Sequence, residues 1–330
     1  MAWYDEITND CDVVLSTRVR YARNLEDYPF DLCDASKVSD EMIERVINAC
    51  QCNMNELRMS HLTPNARLAL CEQHYISPSF MDQTNGVLIY QEDKGIYLMT
   101  PEEDHIRLQV LGAGYCPEIL LERADNVLKD LEDTLRFSYD KKLGYLTRCP
   151  TNLGLALRIS VMVFLPGLVF ENGIARLHES LSSVGYNLRG MYGEGSKSIG
   201  ALFQISNRYS LGYTKRDIIT GFSDMIEKVI AAEKLARSKL NLENLADRSG
   251  RAYGILSYAK KMSYDEFLSH YSNLRLGYAM KLQLPRECSL SKLDSLLIKC
   301  APGMITGEYQ CVGSNERDLC RAKYLFKILH

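Results

Sequence analysis

Apolar and polar positions alternate through residues 12–20, DVVLSTRVR, and again through 104–111, DHIRLQVL. A period of two sends successive side chains to opposite faces of a strand. Val19 therefore backs Arg18 and Arg20. Ile106, Leu108 and Val110 back Arg107, and the same parity extends Arg107's face to Glu103 and His105. Residues 86–99 predict a hairpin turning at Glu92–Gly95, and further strands are predicted over 155–165, 186–192 and 201–208. Helical spacing takes over in 36–58, 117–139, 174–185 and 215–247; in the second of these Leu121, Leu128, Leu131 and Leu135 recur near 3.6 residues. Thr214 with Asp217, and Ser263 with Glu266, have the spacing of helix starts. Two more helices are predicted over 291–299 and 315–329. Strands mixed with long helices, without a regular βαβ repeat, predict an α+β fold. Its sheet is mostly antiparallel and flanked by helices, which are expected on one face. The pattern turns wholly helical after residue 214. It divides the chain into a catalytic domain over 12–236 and a helical domain over 237–330.

With 330 residues, 46% of them hydrophobic, the chain can bury a sizeable core. A net charge of -3 gives no general attraction to nucleic acid or an anionic membrane, so any basic site must be local. No apolar run approaches the roughly 20 residues of a membrane span. The start, MAWYDEITNDCDVV, has no basic segment leading into an apolar one, so no secretory signal is expected. Eleven cysteines without CxxC pairs read as reduced thiols of a cytoplasmic protein, with neither a disulfide frame nor a zinc site.

The candidate chemistry lies on the strands. Arg18, Arg20, Arg107, Arg158 and Arg189 are cations that would repel one another in a single cleft unless an anion held them. Their planar forks suit phosphate oxygens. Glu103 and Glu194 supply carboxylates for a cationic acceptor. A guanidinium is protonated at neutral pH, so it must be oriented and lose a proton before it can attack phosphorus. Glu102 and Asp104 flank Glu103; parity with Arg107 favours Glu103. Glu194 sits in Tyr192-Gly193-Glu194-Gly195, a turn after a strand. Cys149 lies in YLTRCPTNLGLALR, where a thiol can adjust the position and charge of a guanidinium. His74 and His105 can stack on or hydrogen-bond a nucleotide. The glycines at 190, 193 and 195 allow close approach to phosphate but form no Walker A loop. Near the end, Arg317 and Arg321 stand one helical turn apart with Asp318 between them, groups that together suit a phosphorylated arginine.

The stretches STRVRYARN, NGVLIYQE, PEEDHIRLQ, GYLTRCPTNLGLALRISVM and LRGMYGEGS resemble the catalytic domain of the phosphagen (guanidino) kinases. The segment GSKSIGALFQISNRYSLGYTKRDI and the RDxxRA element at Arg317–Ala322 resemble the bacterial protein-arginine kinase branch of that family. The resemblance runs from about residue 12 to residue 322. It implies an ATP site over Ser16, Thr17, Arg18, Val19 and Arg20; His74; Arg107; Arg158, Ile159, Ser160, Val161 and Met162; and Arg189, Gly190, Met191, Tyr192, Gly193 and Glu194. It implies that Glu103, Glu194 and Cys149 are catalytic. It places an allosteric phosphoarginine site at Arg317, Asp318, Arg321 and Ala322. Mg2+ would arrive with ATP, held largely by phosphate and water. The implied activity is ATP-dependent phosphorylation of arginine in proteins, with a homodimer, an activator protein, a Clp-type protease and a stress-gene repressor as expected partners. Two departures bear on substrate. Small-molecule members carry an N-terminal helical domain where this chain has about a dozen residues, which favours a protein acceptor over free arginine or another small guanidino compound. Arg148 stands where a serine is expected before the cysteine and adds positive charge there. A silent phosphoarginine reader is the remaining alternative, and it would not need both glutamates.

Overall fold

The computed structural model describes residues 2–6, 12–30, 36–50, 54–191 and 199–330, apart from the side chains of 36–38. Strands β1 (Val14–Arg23), β2 (Asn55–Arg58), β3 (Val87–Gln91), β4 (Ile96–Thr100) and β5 (Ile106–Ala113) form one half of the main sheet. The short hairpin β6 (Tyr139–Asp140) and β7 (Gly144–Tyr145) stands apart. Strands β8 (Leu157–Phe164), β9 (Tyr186–Gly190) and β10 (Leu202–Asn207) complete the sheet. Its eight strands run in the order β2-β3-β4-β5-β1-β8-β10-β9. Each neighbouring pair is antiparallel, as the predicted α+β class requires.

Helices α1 (Ser36–Ala49), α2 (Pro64–Glu72), α3 (Pro78–Met81), α4 (Pro117–Glu132), α5 (Pro166–Phe170), α6 (Ile174–Ser183) and α7 (Lys215–Ser238) are interspersed with these strands or follow them. Helices α8 (Leu242–Tyr258), α9 (Tyr264–Ala279), α10 (Leu290–Lys299), α11 (Pro302–Tyr309) and α12 (Ser314–Leu329) complete the chain. Among the described residues, no helix is long and apolar enough to cross a membrane.

The strand parity read from sequence decides how the layers stack. Val19, Tyr21, Ile106, Leu108, Val110, Ile159 and Val161 all point to one face, where α1, α4, α6 and α7 bury them in the main core. The opposite face is not bare, contrary to the expectation of helices on one side only. Trp3, Tyr75, Ile76 and Phe80 cover Leu88, Tyr97 and Met99 at one flank. The C-terminal helices cover Leu15, Phe164 and Leu202 at the other. Between the two flanks the middle strands expose a polar floor.

Three predicted helices differ from the structure by more than two residues. The helix expected over 36–58 stops at Ala49, and Asn55–Arg58 pairs with β3 as an edge strand. Leu57 packs against the flank cluster and the backbone of 55–58 pairs with β3, so tertiary pairing overrides the helical pattern. The helix over 117–139 ends at Glu132. The helix over 215–247 is two: Thr214 and Asp217 close a full capping box at the start of α7, and Asn241 then caps α8 by accepting the amide of Asn244. An asparagine cap within a continuous periodic pattern ends one helix and starts another without any proline or glycine to mark it.

Candidate functional site

The polar floor is built by register. Arg20 lies directly opposite Arg158 on β8 and Gln109 on β5, and Arg18 lies opposite Ser160. Like charges facing each other across a ladder repel, and few local partners relieve them. Arg18 Nε donates to Ser160 Oγ at 3.3 Å, and Arg158 donates twice to Ser206 Oγ at 3.3 and 3.1 Å. The Nε atoms of Arg20 and Arg107 are buried and have no hydrogen-bond partner among the described residues. Burial, reinforced by Arg107 and Arg158, pushes the Arg18 guanidinium down to about 9. Arg20 is also pushed well below its ordinary value by burial, Arg18, Arg107 and Arg158, against the pull of Glu102. Arg158 is lowered by burial and by Arg189 and Arg107. The floor is strained in charge, and a bound polyanion would relieve the strain.

Above it opens a cavity of about 640 Å³ lined by Ser16, Arg18, Arg20, His74, Arg107, Ser160, Val161, Met162, Arg189, Gly190 and Met191. The helical C-terminal part also reaches its wall, through Tyr264, Asp265 and Pro302. His74 takes a left-handed backbone (φ 62) after α2. Gln109 Nε2 fixes that turn by donating to the carbonyls of His74 and Tyr75 at 2.7 and 2.8 Å. Burial and then Arg18 push the imidazole down to about 4, so it is neutral at physiological pH.

A second cavity, of about 220 Å³, adjoins the first and shares Arg20 and Arg107 with it. Glu103, Cys149, Thr151, Asn152, Arg158, Asn207 and Arg208 line it. The carboxylates beside it divide their work. Glu102 binds Arg107 at 2.9 Å and accepts from the hydroxyls of Ser77 and Ser79 and from the Glu103 amide. Burial opposes its charge, but Arg107 and these donors outweigh that and hold it down at about 2. Asp104 is buried and accepts from Asn24 Nδ2 and the Arg148 amide, pinning the loop that carries Cys149. Glu103 alone of the three is exposed. Partial burial, Asp104 and Glu102 raise its carboxyl above the ordinary range. Cys149 Sγ lies 3.0 Å from Thr151 Oγ1.

The structure thus gathers Ser16, Arg18, Arg20, His74, Arg107, Ser160, Met162, Arg189, Gly190 and Met191 around the larger cavity and Glu103, Cys149 and Arg158 around the smaller. It turns the side chains of Val19, Ile159 and Val161 into the core on the far face. Thr17 is buried too and donates to the Gly114 carbonyl at 2.6 Å. Tyr192, Gly193 and Glu194 lie outside the described residues. His105 does not share Arg107's face. Strand β5 begins at Ile106, so alternation does not extend back through 101–105. His105 is buried, with Nδ1 accepting from the Leu25 amide at 3.0 Å and Nε2 2.9 Å from the Pro29 carbonyl oxygen. Sequence reasoning passed over Gln109 and Arg208, although both continue the parity of an arginine or serine two residues earlier.

The RDxxRA element lies on α12. Arg321 is buried, with Nε donating to the Cys300 carbonyl at 2.7 Å and Nη1 to the Met262 carbonyl and Asp318 Oδ1 at 2.8 Å each. Ala322 is buried beside it, and Arg317 and Asp318 are half-buried.

A sheet floor of half-buried arginines, with Arg189 exposed at its edge, adjoins a cavity lined by a carboxylate and a thiol, the groups that a phosphotransfer site for a cationic acceptor needs. Comparison with known proteins agrees. Residues 36–236 match the model of the ATP:guanido phosphotransferase C-terminal catalytic domain, and residues 242–330 match that of the protein-arginine kinase McsB C-terminal domain. The chain is 36% identical to the protein-arginine kinase of Caldanaerobacter subterraneus subsp. tengcongensis, over 96% of each chain. It is 35% identical to that of Brevibacillus brevis, over 96% of this chain and 91% of the other. In fold it is similar to lombricine kinase (TM-score 0.62, 20% identity, 72% of this chain and 70% of the other). It is also similar to the duplicated taurocyamine kinase of Schistosoma mansoni (TM-score 0.60, 23% identity, 80% of this chain and 40% of the other). The chain belongs to the ATP:guanido phosphotransferase family, in its protein-arginine kinase branch.

Proposed function

We propose that this kinase transfers the γ-phosphoryl group of ATP to the guanidinium of arginine side chains in proteins. The observation that carries the reading is the pair of adjoining cavities with Arg20 and Arg107 at their junction. A triphosphate laid on the floor of the larger cavity would satisfy the orphaned Nε atoms and bring its last phosphorus to that junction. The base would lie toward His74, Met162 and Met191. The acceptor guanidinium would enter the smaller cavity beside Glu103 and Cys149.

In this arrangement Arg18, Arg20, Arg107, Arg158 and Arg189 neutralise charge on the transferring group and hold it in line with the acceptor nitrogen. Glu103 takes a proton from that nitrogen as the N–P bond forms and the P–O bond to ADP breaks. Its raised carboxyl matches the task better than Glu102, which Arg107 and the serines already occupy. Cys149 positions the guanidinium, and Glu194 is assigned the clamp on its far nitrogens from sequence. Magnesium, held by phosphate oxygens and water, would offset part of the triphosphate's charge when bound.

On α12, the half-buried Arg317 and Asp318 are the groups that would receive a phosphoarginine. Arg321 and Ala322 would serve that site from beneath, since Arg321 already ties Asp318 to the backbone of the helical part. Family membership supports the wider setting we propose: a cytoplasmic homodimer, answering to an activator protein, whose products pass to a Clp-type protease and whose targets include a stress-gene repressor. The test is transfer from Mg-ATP to an unstructured arginine-containing protein, run beside free L-arginine, with phosphoarginine detected by mass spectrometry without acid. Transfer to protein alone is expected; transfer to free arginine alone would overturn the acceptor class.

A further inference from the structure

Two loops build one wall of the acceptor cavity. One supplies Thr151 and Asn152 and the other Asn207 and Arg208. They meet at Gly154, whose backbone bridges to Ser210 and to β7 and whose amide donates to the Leu143 carbonyl at 2.9 Å. The approach is so close that a Cβ on Gly154 would stand 2.5 Å from the Leu211 Cα. This joint groups three large apolar residues that are 43 to 46% exposed: Leu143, Tyr209 and Leu211. Tyr139, 60% exposed, extends the group by packing edge-on against Tyr145 at 5.2 Å. Single exposed apolar residues are ordinary, but a cluster beside a site marks an interaction surface.

We infer that the face carrying Leu143, Tyr209 and Leu211 docks an extended polypeptide segment whose target arginine is flanked by apolar side chains. The inference rests on the acceptor cavity proposed above. That cavity, of about 220 Å³, has room for one side chain, so the backbone and neighbours of the target arginine must lie along its rim. Beyond the polar wall of Thr151, Asn152, Asn207 and Arg208, the second loop continues into the exposed Tyr209 and Leu211. The charges of this face include Arg208, whose guanidinium sits 5.2 Å from the Tyr209 ring, and the exposed Lys141 and Lys142, which with Asp140 precede Leu143; the excess of cations disfavours a second basic residue beside the target. Apolar flanks bury surface there; basic flanks meet repulsion.

The test uses the full-length enzyme, Mg-ATP and two peptides of equal length and charge. Each holds one arginine, flanked by Leu and Phe in one peptide and by Ser and Gln in the other. The wild type should show the lower KM for the apolar peptide. The double variant Leu143→Ser/Leu211→Ser should raise that KM about tenfold. The same variant should leave kcat, KM for ATP and KM for the polar peptide unchanged. Leu143→Met/Leu211→Met, which keeps the apolar surface, should retain the wild-type KM and shows that the fold survives change there. Equal KM values in the wild type, or an unmoved KM in the serine variant, overturn the docking surface and leave the kinase reading intact. A change in oligomeric state by light scattering with an unmoved KM assigns the face to a second copy and likewise overturns it. Transfer to neither peptide overturns the kinase reading and this inference with it.

Discussion

At the level of single residues, Glu102 and Glu103 are adjacent in sequence and opposite in role. Glu102 is tied to Arg107, and its carboxyl lies near 2, below its unfolded value of about 4.5. Its contribution to stability is therefore complete above about pH 4.5 and is lost as pH falls toward 2. Glu103 is shifted the other way, so a mechanism that needs its carboxylate should lose activity at a higher pH than an ordinary glutamate would give. A pH–rate profile checks this; an acidic limb at or below the ordinary glutamate range would remove Glu103 as the base. Glu103→Gln should cost transfer about 100-fold or more while ATP affinity, measured by calorimetry, stays within a few-fold. Sequence parity found the arginine floor because β1, β5 and β8 are regular strands across those positions. It could not settle the glutamates, because 101–105 bends before β5 begins and alternation carries no information through a bend.

At the level of elements, the main strands and the longer helices were legible from period and caps, while short or tertiary-held pieces were not. Strand β2 is an edge held by β3, and α11 is started by a distant residue: Glu72, on α2, accepts from the amides of Gly303 and Met304. Neither signal is local, so no window of sequence contains it. The joint at Gly154 is likewise invisible as a lone glycine, yet its φ of +96 and its contact with Leu211 make it a fixed point. Gly154→Ala should destabilise the protein by about 1–3 kcal/mol. It should also slow turnover of protein acceptors more than ATP hydrolysis, as the two cavity loops are forced apart. Denaturant unfolding and steady-state kinetics check both. Arg321→Ala, which leaves two carbonyls and Asp318 without their cation, should cost about 3 kcal/mol of stability. A variant as stable as wild type but deaf to phosphoarginine would instead make Arg321 a direct ligand.

At the level of the whole molecule, the arginine floor makes nucleotide a stabilising ligand. Saturating the site at a hundredfold excess over Kd should add about 2.7 kcal/mol. The effect should weaken with added salt, as expected where charge neutralisation supplies the affinity. A melting temperature that ignores ATP would speak against the floor as its binding surface. The nucleotide cavity also depends on two parts of the chain that family comparison treats separately: Arg107, Ser160 and Arg189 of its floor lie within 36–236, beside Arg18 and Arg20 of β1, while Tyr264, Asp265 and Pro302 come from 242–330. That shared wall has a consequence for engineering. A chimera that exchanged the helical tail of this chain for a relative's would carry over part of the nucleotide vessel with it. Such a hybrid should change its affinity for ATP before it changes which arginine it marks.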